Sequence, residues 1–418
     1  MTARPSGLDA TTPVVILKMT TNLVQHGVLG ILRSAGRWGI PVHWVHNEGA
    51  APAARSRHLA AAHPLPPGPA TAERWAEHLS RVGRAVGGRP VLVATDDPSS
   101  ALVAEYRDRL EPLYRFPAPA EGLVDSLVDK RRLHELCLET GLPTPDARFP
   151  QRSADLEEYA AAGEFPVVVK RIGAPDAAGA ELLPSVTVVR TRDELRALAR
   201  RLPEAAVPGA MLQEYIPGGA RSVWMLDGYF GADSACLAAY TGRKLRQHPT
   251  HTGMTSLGVC EHNRAVIETT ERFMRQIGYR GIVDMGYRHD ARDGRYKLLD
   301  VNPRIGATFR LFVDAAGTDV LRALYLDMTG QPPPPRAPVR EGRRWLVEHH
   351  DLAEAAAAIR RREMTVRGWV GSLLPVREGA WFSPADPLPA AALAVAFARR
   401  GIGREARPAA LAFGTDAA

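Results

Sequence analysis

The first third of the chain alternates short apolar runs with helical patterns. PVVILKM (13–19), VHWVH (42–46) and RPVLVATDD (89–97) read as buried strands, and residues 27–37 and 99–110 carry helical patterns between and after them. Strands alternating with helices predict a parallel α/β sheet, here over residues 1–122. No G-x-G-x-x-G sequence follows the first strand, which disfavours a dinucleotide at that turn. A helix is expected over 126–141 (SLVDKRRLHELCLETG), stopped by a glycine, and PTPDARFP then runs extended. FPVVVKRI (165–172) reads as a buried strand with SVTVVR (185–190) as its partner, and a helix spans 192–202. MLQEYIPGG (211–219) is a strand that breaks into a Pro-Gly-Gly turn. SVWMLDGYF (222–230) and ACLAAYTGRKL (235–245) form an expected antiparallel hairpin, followed by a helix near 263–277.

GIVDMGYRHD and YKLLDVNPR, joined by ARDGR, predict a second hairpin, because Asp-Gly favours a tight turn. In LLDVNPRIG (298–306) Asp300 and Asn302 lie two residues apart, so an extended chain puts them on one face, with Arg304 just past them. Pro303 cannot donate to a ladder and marks the point where the strand leaves the sheet. Asp284 sits equally among apolar neighbours on the facing strand. A carboxylate in such a strand is costly to bury unless it is paired or metal-bound. Facing strands lie about 4.8 Å apart, so Asp284, Asp300 and Asn302 can share one Mg²⁺, a cation that takes oxygen ligands. The structural alternative is that Asp284 pairs with Arg288 or Arg304. Beyond the proline-rich QPPPPRAP (331–338), read as a linker, residues 339–418 read as an extension with helices near 351–362 and 389–400 that serves packing or dimer formation.

Composition narrows the partners. A length of 418 residues predicts two to four domains, and 45% hydrophobic with 24% charged residues are globular values. No apolar run is long enough for a membrane span, and TTPVVILKM is too short for a secretory leader, so a cytoplasmic protein is expected. Three scattered cysteines exclude a disulfide framework or a cysteine zinc site, and the adjacent His349 and His350 have no second ligand pair in the sequence. The net charge of +7 is spread along the chain without an aromatic-interleaved basic cluster. That argues against nucleic acid and suits an anionic small molecule. Only five of the 53 basic residues are Lys, namely Lys18, Lys130, Lys170, Lys244 and Lys297. Where the chain otherwise uses Arg, a Lys marks a place that wants a compact ammonium.

Five motifs in order then resemble the ATP-grasp carboxylate–amine ligases: Asp129–Lys130 with the following helix and GLPTP, the strand PVVVK, the segment LQEYIPGG, GRKLRQ, and the hairpin ending DVNPR. The likeness covers roughly 90–330, and its finer match is to D-aspartate-ligase-like proteins of actinobacterial type. It implies an ATP-grasp fold of the α/β (α+β) class. A Rossmann-like pre-grasp layer (1–122) would precede an ATP-grasp domain (123–330) made of a small subdomain (about 123–215) and a large one (about 216–330). Lys130 and Lys170 would contact ATP phosphates, and the hinge Gln213, Glu214, Tyr215 and Ile216 would receive adenine. Asp284, Asp300 and Asn302 would hold Mg²⁺, with Mn²⁺ as a substitute. Lys244, Arg246 and Arg304 would face the γ-phosphate, the acyl phosphate or a substrate carboxylate. Arg310 and Arg288 are further candidates for a substrate carboxylate, with an ion-pair role as the alternative for Arg310. The resemblance implies ATP-driven coupling of a small carboxylate, an amino acid or peptide, to an amine. A phosphotransferase and a nucleotide-binding module without catalysis are the alternatives. Two departures stand out: the segment after the hinge, PGGARS, lacks the acid that binds ribose in many relatives, and the loop after Lys170 is poor in glycine.

Overall fold

The computed structural model describes residues 7–21, 26–47, 51–172, 182–183, 185–250, 253–333 and 337–402. The loop after Lys170 lies mostly outside them, as do residues 251 and 252 of THTGMTSLG (250–258), a segment that the sequence offers as a candidate wall of a substrate site.

The N-terminal layer is built from β1 (Val14–Lys18), α1 (Gly27–Gly36), β2 (Val42–His46), β3 (Leu59–Pro64), α2 (Ala72–Val86), β4 (Val91–Ala94), α3 (Asp97–Glu105) and α4 (Arg107–Leu110). Its four strands are parallel in the order β3-β2-β1-β4, with β1 wholly buried, as its unbroken apolar run requires. β3 and α2 went unread in the sequence; LAAAHP has no β-branched residue, and in α2 five charged residues interrupt the apolar positions. The stretch 99–110 breaks in two at Tyr106. Asp96 caps α3 by accepting from Ser99 N.

A second sheet holds β5 (Ala147–Arg148), β6 (Val167–Arg171), β7 (Val186–Val189) and β8 (Ala210–Glu214) in the order β5-β8-β6-β7. Helices α7 (Ser153–Ala162) and α8 (Arg192–Ala199) pack through Leu156 and Leu195 on the side that carries Val167, Val169 and Leu212. The opposite side of the sheet carries Met211 and Gln213, both buried. Helices α5 (Leu123–Val128) and α6 (Lys130–Thr140) precede this sheet but pack elsewhere. Their Leu127, Leu133 and Cys137 join Val283, Met285, Tyr287 and Val301 beneath the third sheet.

That third sheet contains β9 (Val223–Phe230), β10 (Cys236–His248), β11 (Met254–Cys260), β12 (Gly281–Asp290), β13 (Arg295–Asn302), β14 (Arg344–Leu346) and β15 (Val376–Gly379). Their order is β13-β12-β9-β10-β11-β14-β15, antiparallel except for the parallel β14–β15 pair. Helix α9 (Arg264–Gln276) covers one face, and α10 (Val320–Met328) helps to cover the other. Residues after 339 therefore complete the sheet with two strands, and α11 (Glu348–Arg360), α12 (Val366–Leu373) and α13 (Leu388–Ile402) accompany them. No described helix is long and apolar enough to cross a membrane.

Glu378 on β15 ties three regions together. Its carboxylate accepts from Arg310 Nη2 at 2.9 Å and Arg343 Nη2 at 2.7 Å, and it lies 3.5 Å from Arg37 Nη1 at the end of α1. Burial alone would push this carboxyl up. The charges of Arg310, Arg37 and Arg343 outweigh that and hold it well below the usual range. Arg33 and Asp386 form a second buried tie at 3.0 Å. A depressed folded-state pKa stabilises above the unfolded value, about 4.3 for Glu, and that stabilisation is lost as pH falls through the folded value. Glu378→Gln should lower unfolding free energy at pH 7 by about 3 kcal/mol, because it leaves buried guanidiniums unpaired. The same variant should lose less stability than wild type between pH 5 and pH 3, as read by urea titration at each pH.

Candidate active site

Four polar side chains meet on one face of the third sheet because their strands are in register. Asp227 on β9 pairs across to Asp284 on β12, which pairs to Asn302 on β13. Cross-strand partners share a face, so the three form a row. The next row runs Met225, Gly286, Asp300. Two glycines make room for the acids. A Cβ on Gly286 would lie 2.8 Å from Asp300 Oδ1, and one on Gly306 would lie 2.5 Å from Asp284 Oδ2.

The acids repel one another. Burial first, then Asp300, raise the Asp284 carboxyl to about 6, against the pull of Arg304 and Lys244. Asp227 is fully buried and pushed well up by burial and by Asp284, and neither of its oxygens has a hydrogen-bond partner. The sequence reading missed Asp227. The usable signal was its strand phase, since an acid in the apolar run VWMLDGYF is as anomalous as Asp284 is in its own.

Arg304 leaves the sheet after Pro303 and turns towards the N-terminal layer. Its Nε donates to Asp97 Oδ1 at 2.8 Å, and its Nη2 reaches Asn302 Oδ1 at 3.4 Å. Burial lowers its pKa, but Asp97 and Asp284 more than restore it, so the guanidinium is firmly cationic. Ser100 Oγ donates to Pro303 O at 3.0 Å, and Asp96 accepts from the amides of Met19 and Thr20. The N-terminal layer is thus pinned to the NPR turn.

The second sheet faces this row. On β6, Lys170 and Val168 point away from the helix-packed side, and their β8 partners Met211 and Gln213 share that face. Val168 and Met211 are apolar lining that the motif reading did not single out. Burial pushes the Lys170 amine down to about 8, with Asp300 opposing and Lys130 adding to the shift, so the three charges are neighbours. Lys130 opens α6, whose N-cap is Asp129. Lys244 on β10 is likewise lowered by burial while Asp300 and Asp284 raise it, and its Nζ donates to Gly253 O at 3.2 Å.

The remaining candidates divide. Glu214, at the end of β8, is bound to Lys297 Nζ at 3.1 Å and to Arg292, so its side chain locks the two sheets together. Gln213 and Ile216 are buried at the hinge, and Tyr215 is half-buried beside them. Arg288 donates to Gly218 O, which places it beside the hinge. Arg246 is engaged by both oxygens of Asp351, at 2.7 and 2.9 Å, and by Ser372, and so serves the C-terminal helices. Arg310 is buried between Glu378 and Asp319, which makes it an ion-pair residue where a substrate clamp was the other expectation. Asp351 and Glu378 come from segments far along the chain, whose nearness no local pattern could reveal.

Two carboxylates and an amide, backed by an unpartnered Asp227, form a hard oxygen set of the kind that suits Mg²⁺. No three His, Cys, Asp or Glu side chains converge on a metal position among the described residues. The donors at this place therefore fit a cation that completes its shell with phosphate oxygens and water.

The fold is that of the ATP-grasp proteins. Residues 206–350 match the family described as ATP-grasp in the biosynthetic pathway with Ter operon. The chain is 25% identical over 245 residues to D-aspartate ligase of Enterococcus faecium (strain Aus0004), covering 57% of this chain and 58% of that protein. The chain thus spans less than two thirds of this curated relative. Among solved structures it resembles an L-amino acid ligase from Bacillus licheniformis, with TM-score 0.56 and 16% identity over 77% of this chain and 75% of that one. It also resembles N5-carboxyaminoimidazole synthetase from Staphylococcus aureus complexed with ADP, with TM-score 0.57 and 11% identity over 79% and 80% of the two chains.

Gly306→Ala tests the cradle. The added methyl must displace Asp284, so Mg²⁺ dependence should shift to about tenfold higher concentration while the thermal midpoint moves little. Metal titration of nucleotide binding reads the first, and differential scanning fluorimetry reads the second.

Proposed function

We propose that the protein is an ATP- and Mg²⁺-dependent ligase that activates a carboxylate and couples it to an amine, releasing ADP and phosphate. One observation carries the reading: Lys130, Lys170 and Lys244, from separate elements, gather around Asp300 and Asp284. Alternating cations and acids at the edge of an apolar cleft suit a polyphosphate with its metal. Mg²⁺ held by Asp284, Asp300 and Asn302 would neutralise charge on the phosphates. Val168, Met211 and Ile216 offer the apolar surface for adenine, with the hinge backbone beside them. Lys170 and Lys130 hold phosphate charge from the small-subdomain side, and Lys244 does so from the large.

In the first half-reaction a carboxylate oxygen attacks the terminal phosphorus, the bond to the bridging oxygen breaks, and ADP leaves. In the second, an amine attacks the acyl carbon, phosphate departs with the bonding pair, and the nitrogen loses a proton. Both steps need positioning and charge neutralisation more than covalent help from the protein. The named activities of the relatives, D-aspartate ligase and L-amino acid ligase, support an amino acid as one substrate.

ADP release with MgATP and pairs of amino acids is the deciding assay. Turnover that requires both an acid and an amine is expected, whereas steady turnover with one acid alone would replace the ligase by a phosphotransferase. Asp300→Ala should reduce turnover about 10²-fold or more. Lys170→Ala should weaken nucleotide binding about tenfold, and unchanged ADP affinity in that variant would remove Lys170 from the phosphate site.

A further inference from the structure

A second concentration of unpartnered polar atoms lies beyond Lys244, on the β14 side of the sheet. His26 occupies the N-cap of α1 at 4% exposure, and neither of its ring nitrogens has a partner. His349 and His350 stand in the first turn of α11. Both nitrogens of His349 and Nδ1 of His350 are buried and unpartnered. His248, at the end of β10, has a buried Nδ1 without a hydrogen bond, with Glu354 Oε2 3.6 Å away. The His349 and His350 ring centroids are 4.1 Å apart, His350 and His248 are 5.2 Å apart, and His26 packs on Trp345 at 5.1 Å. Trp381 and Phe397 close the wall behind His349.

The nearby acids are already engaged. Glu348 accepts from the amides of Trp381 and Phe382. Asp351 accepts from Arg246 and Trp369 Nε1. Glu354 accepts from Thr250 and Arg361. The rings therefore lack an acceptor, and leaving several buried N–H groups unpaired is costly. Burial, then mutual repulsion, pushes His349 to about 4 and His350 to about 3, and His26 well below its ordinary value. His26, His349 and His350 are therefore neutral at pH 7. Each neutral imidazole offers one N–H donor, and one carboxylate offers about four lone-pair sites. Helix α1 adds to this, because no side chain caps its N-terminus and no acid lies in its first turn. Its free amides and dipole favour an anion there.

The cluster also adjoins the proposed reaction site. Gly27 lies so close to the loop after Arg304 that a Cβ there would meet Ala307 Cα at 3.1 Å, and the neighbouring Gly306 abuts Asp284. Trp345 is the partner of Gly258, and Gly258 is the partner of Lys244. Two strand spacings make about 10 Å, the reach of a long side chain or a short peptide.

We propose that His26, His248, His349 and His350, with the N-terminus of α1, form a subsite for a free carboxylate that is not itself activated. One substrate is then an amino acid derivative or short peptide with a spare carboxyl group, its reacting end near Lys244. This rests on the ligase reading, and the test separates the two. Titration calorimetry of the full chain, saturated with MgADP, is run with succinate, γ-aminobutyrate and uncharged succinamide in buffers of different ionisation enthalpy. A bound carboxylate raises the pKa of the imidazoles that face it, so a carboxylate probe should bind with net proton uptake, its affinity falling up to about tenfold per pH unit from pH 6.5 to 8, and succinamide should not bind. Stronger binding of succinate assigns the subsite to the acid substrate, and stronger binding of γ-aminobutyrate assigns it to the amine substrate. His26→Gln and His349→Gln should each weaken that binding about tenfold while MgADP affinity stays within twofold, which also reports correct folding. Carboxylate binding unchanged in both variants would overturn the proposal. So would its absence at every pH, or binding of Ni²⁺ alone. If MgADP itself does not bind, the ligase reading falls and the carboxylate titration decides the subsite by itself.

Discussion

Two acids and an amide held side by side in a sheet, with a third acid behind Asp300 and Asp284, are a liability that the rest of the molecule is arranged to contain. Asp227 and Asp284 are cross-strand partners, the closest approach a sheet allows, and burial removes the water that would screen them. Arg304 supplies the nearest permanent positive charge. It is held by Asp97 on α3, so the N-terminal layer is electrostatically part of the site although the acidic row itself lies in the third sheet. Lys170 arrives from the second sheet, whose position is fixed at the other end by Glu214 with Lys297 and Arg292. The cleft is therefore framed by charge pairs at both ends, and its middle is left to apolar side chains.

This frame explains what could be read in advance. Asp284, Asp300 and Asn302 were legible because strand periodicity is local, and an acid in an apolar run breaks the pattern. Asp227 obeys the same rule but precedes Gly228, and the Asp-Gly pair looks like ordinary strand-end chemistry. Lysine scarcity was a better guide than any arginine. Lys130, Lys170 and Lys244 reach the cleft, Lys297 braces it, and Lys18 stays buried in β1. Arg246 and Arg310 show what a local pattern leaves out, because a guanidinium in the sequence says nothing of its partner. Asp351 lies 105 residues from Arg246, and Glu378 lies 68 from Arg310.

The tail illustrates a related limit. A proline-rich segment reads as a boundary, and composition alone gives no reason to place β14 and β15 in the same sheet as Asp284, Asp300 and Asn302. The pairing rests on register with β11 and on the buried acids Glu378, Asp386 and Asp351 meeting arginines from earlier elements. Apolar side chains left exposed there, including Leu352, Val366, Val370 and Leu374, give the same helices an uncovered surface.

The parallel β14–β15 edge bears on how the molecule is made. During synthesis the ribosome delivers β9 to β13 first, leaving β11 as an open edge and Arg37, Arg310 and Arg343 without their common acid. Glu378 emerges 76 residues after Asn302, the last residue of the acidic row. A nascent chain can thus assemble the acidic floor before it can lock the layers around it. The final strand acts as a late latch, and a chaperone that shields an open sheet edge would have its greatest effect in that interval.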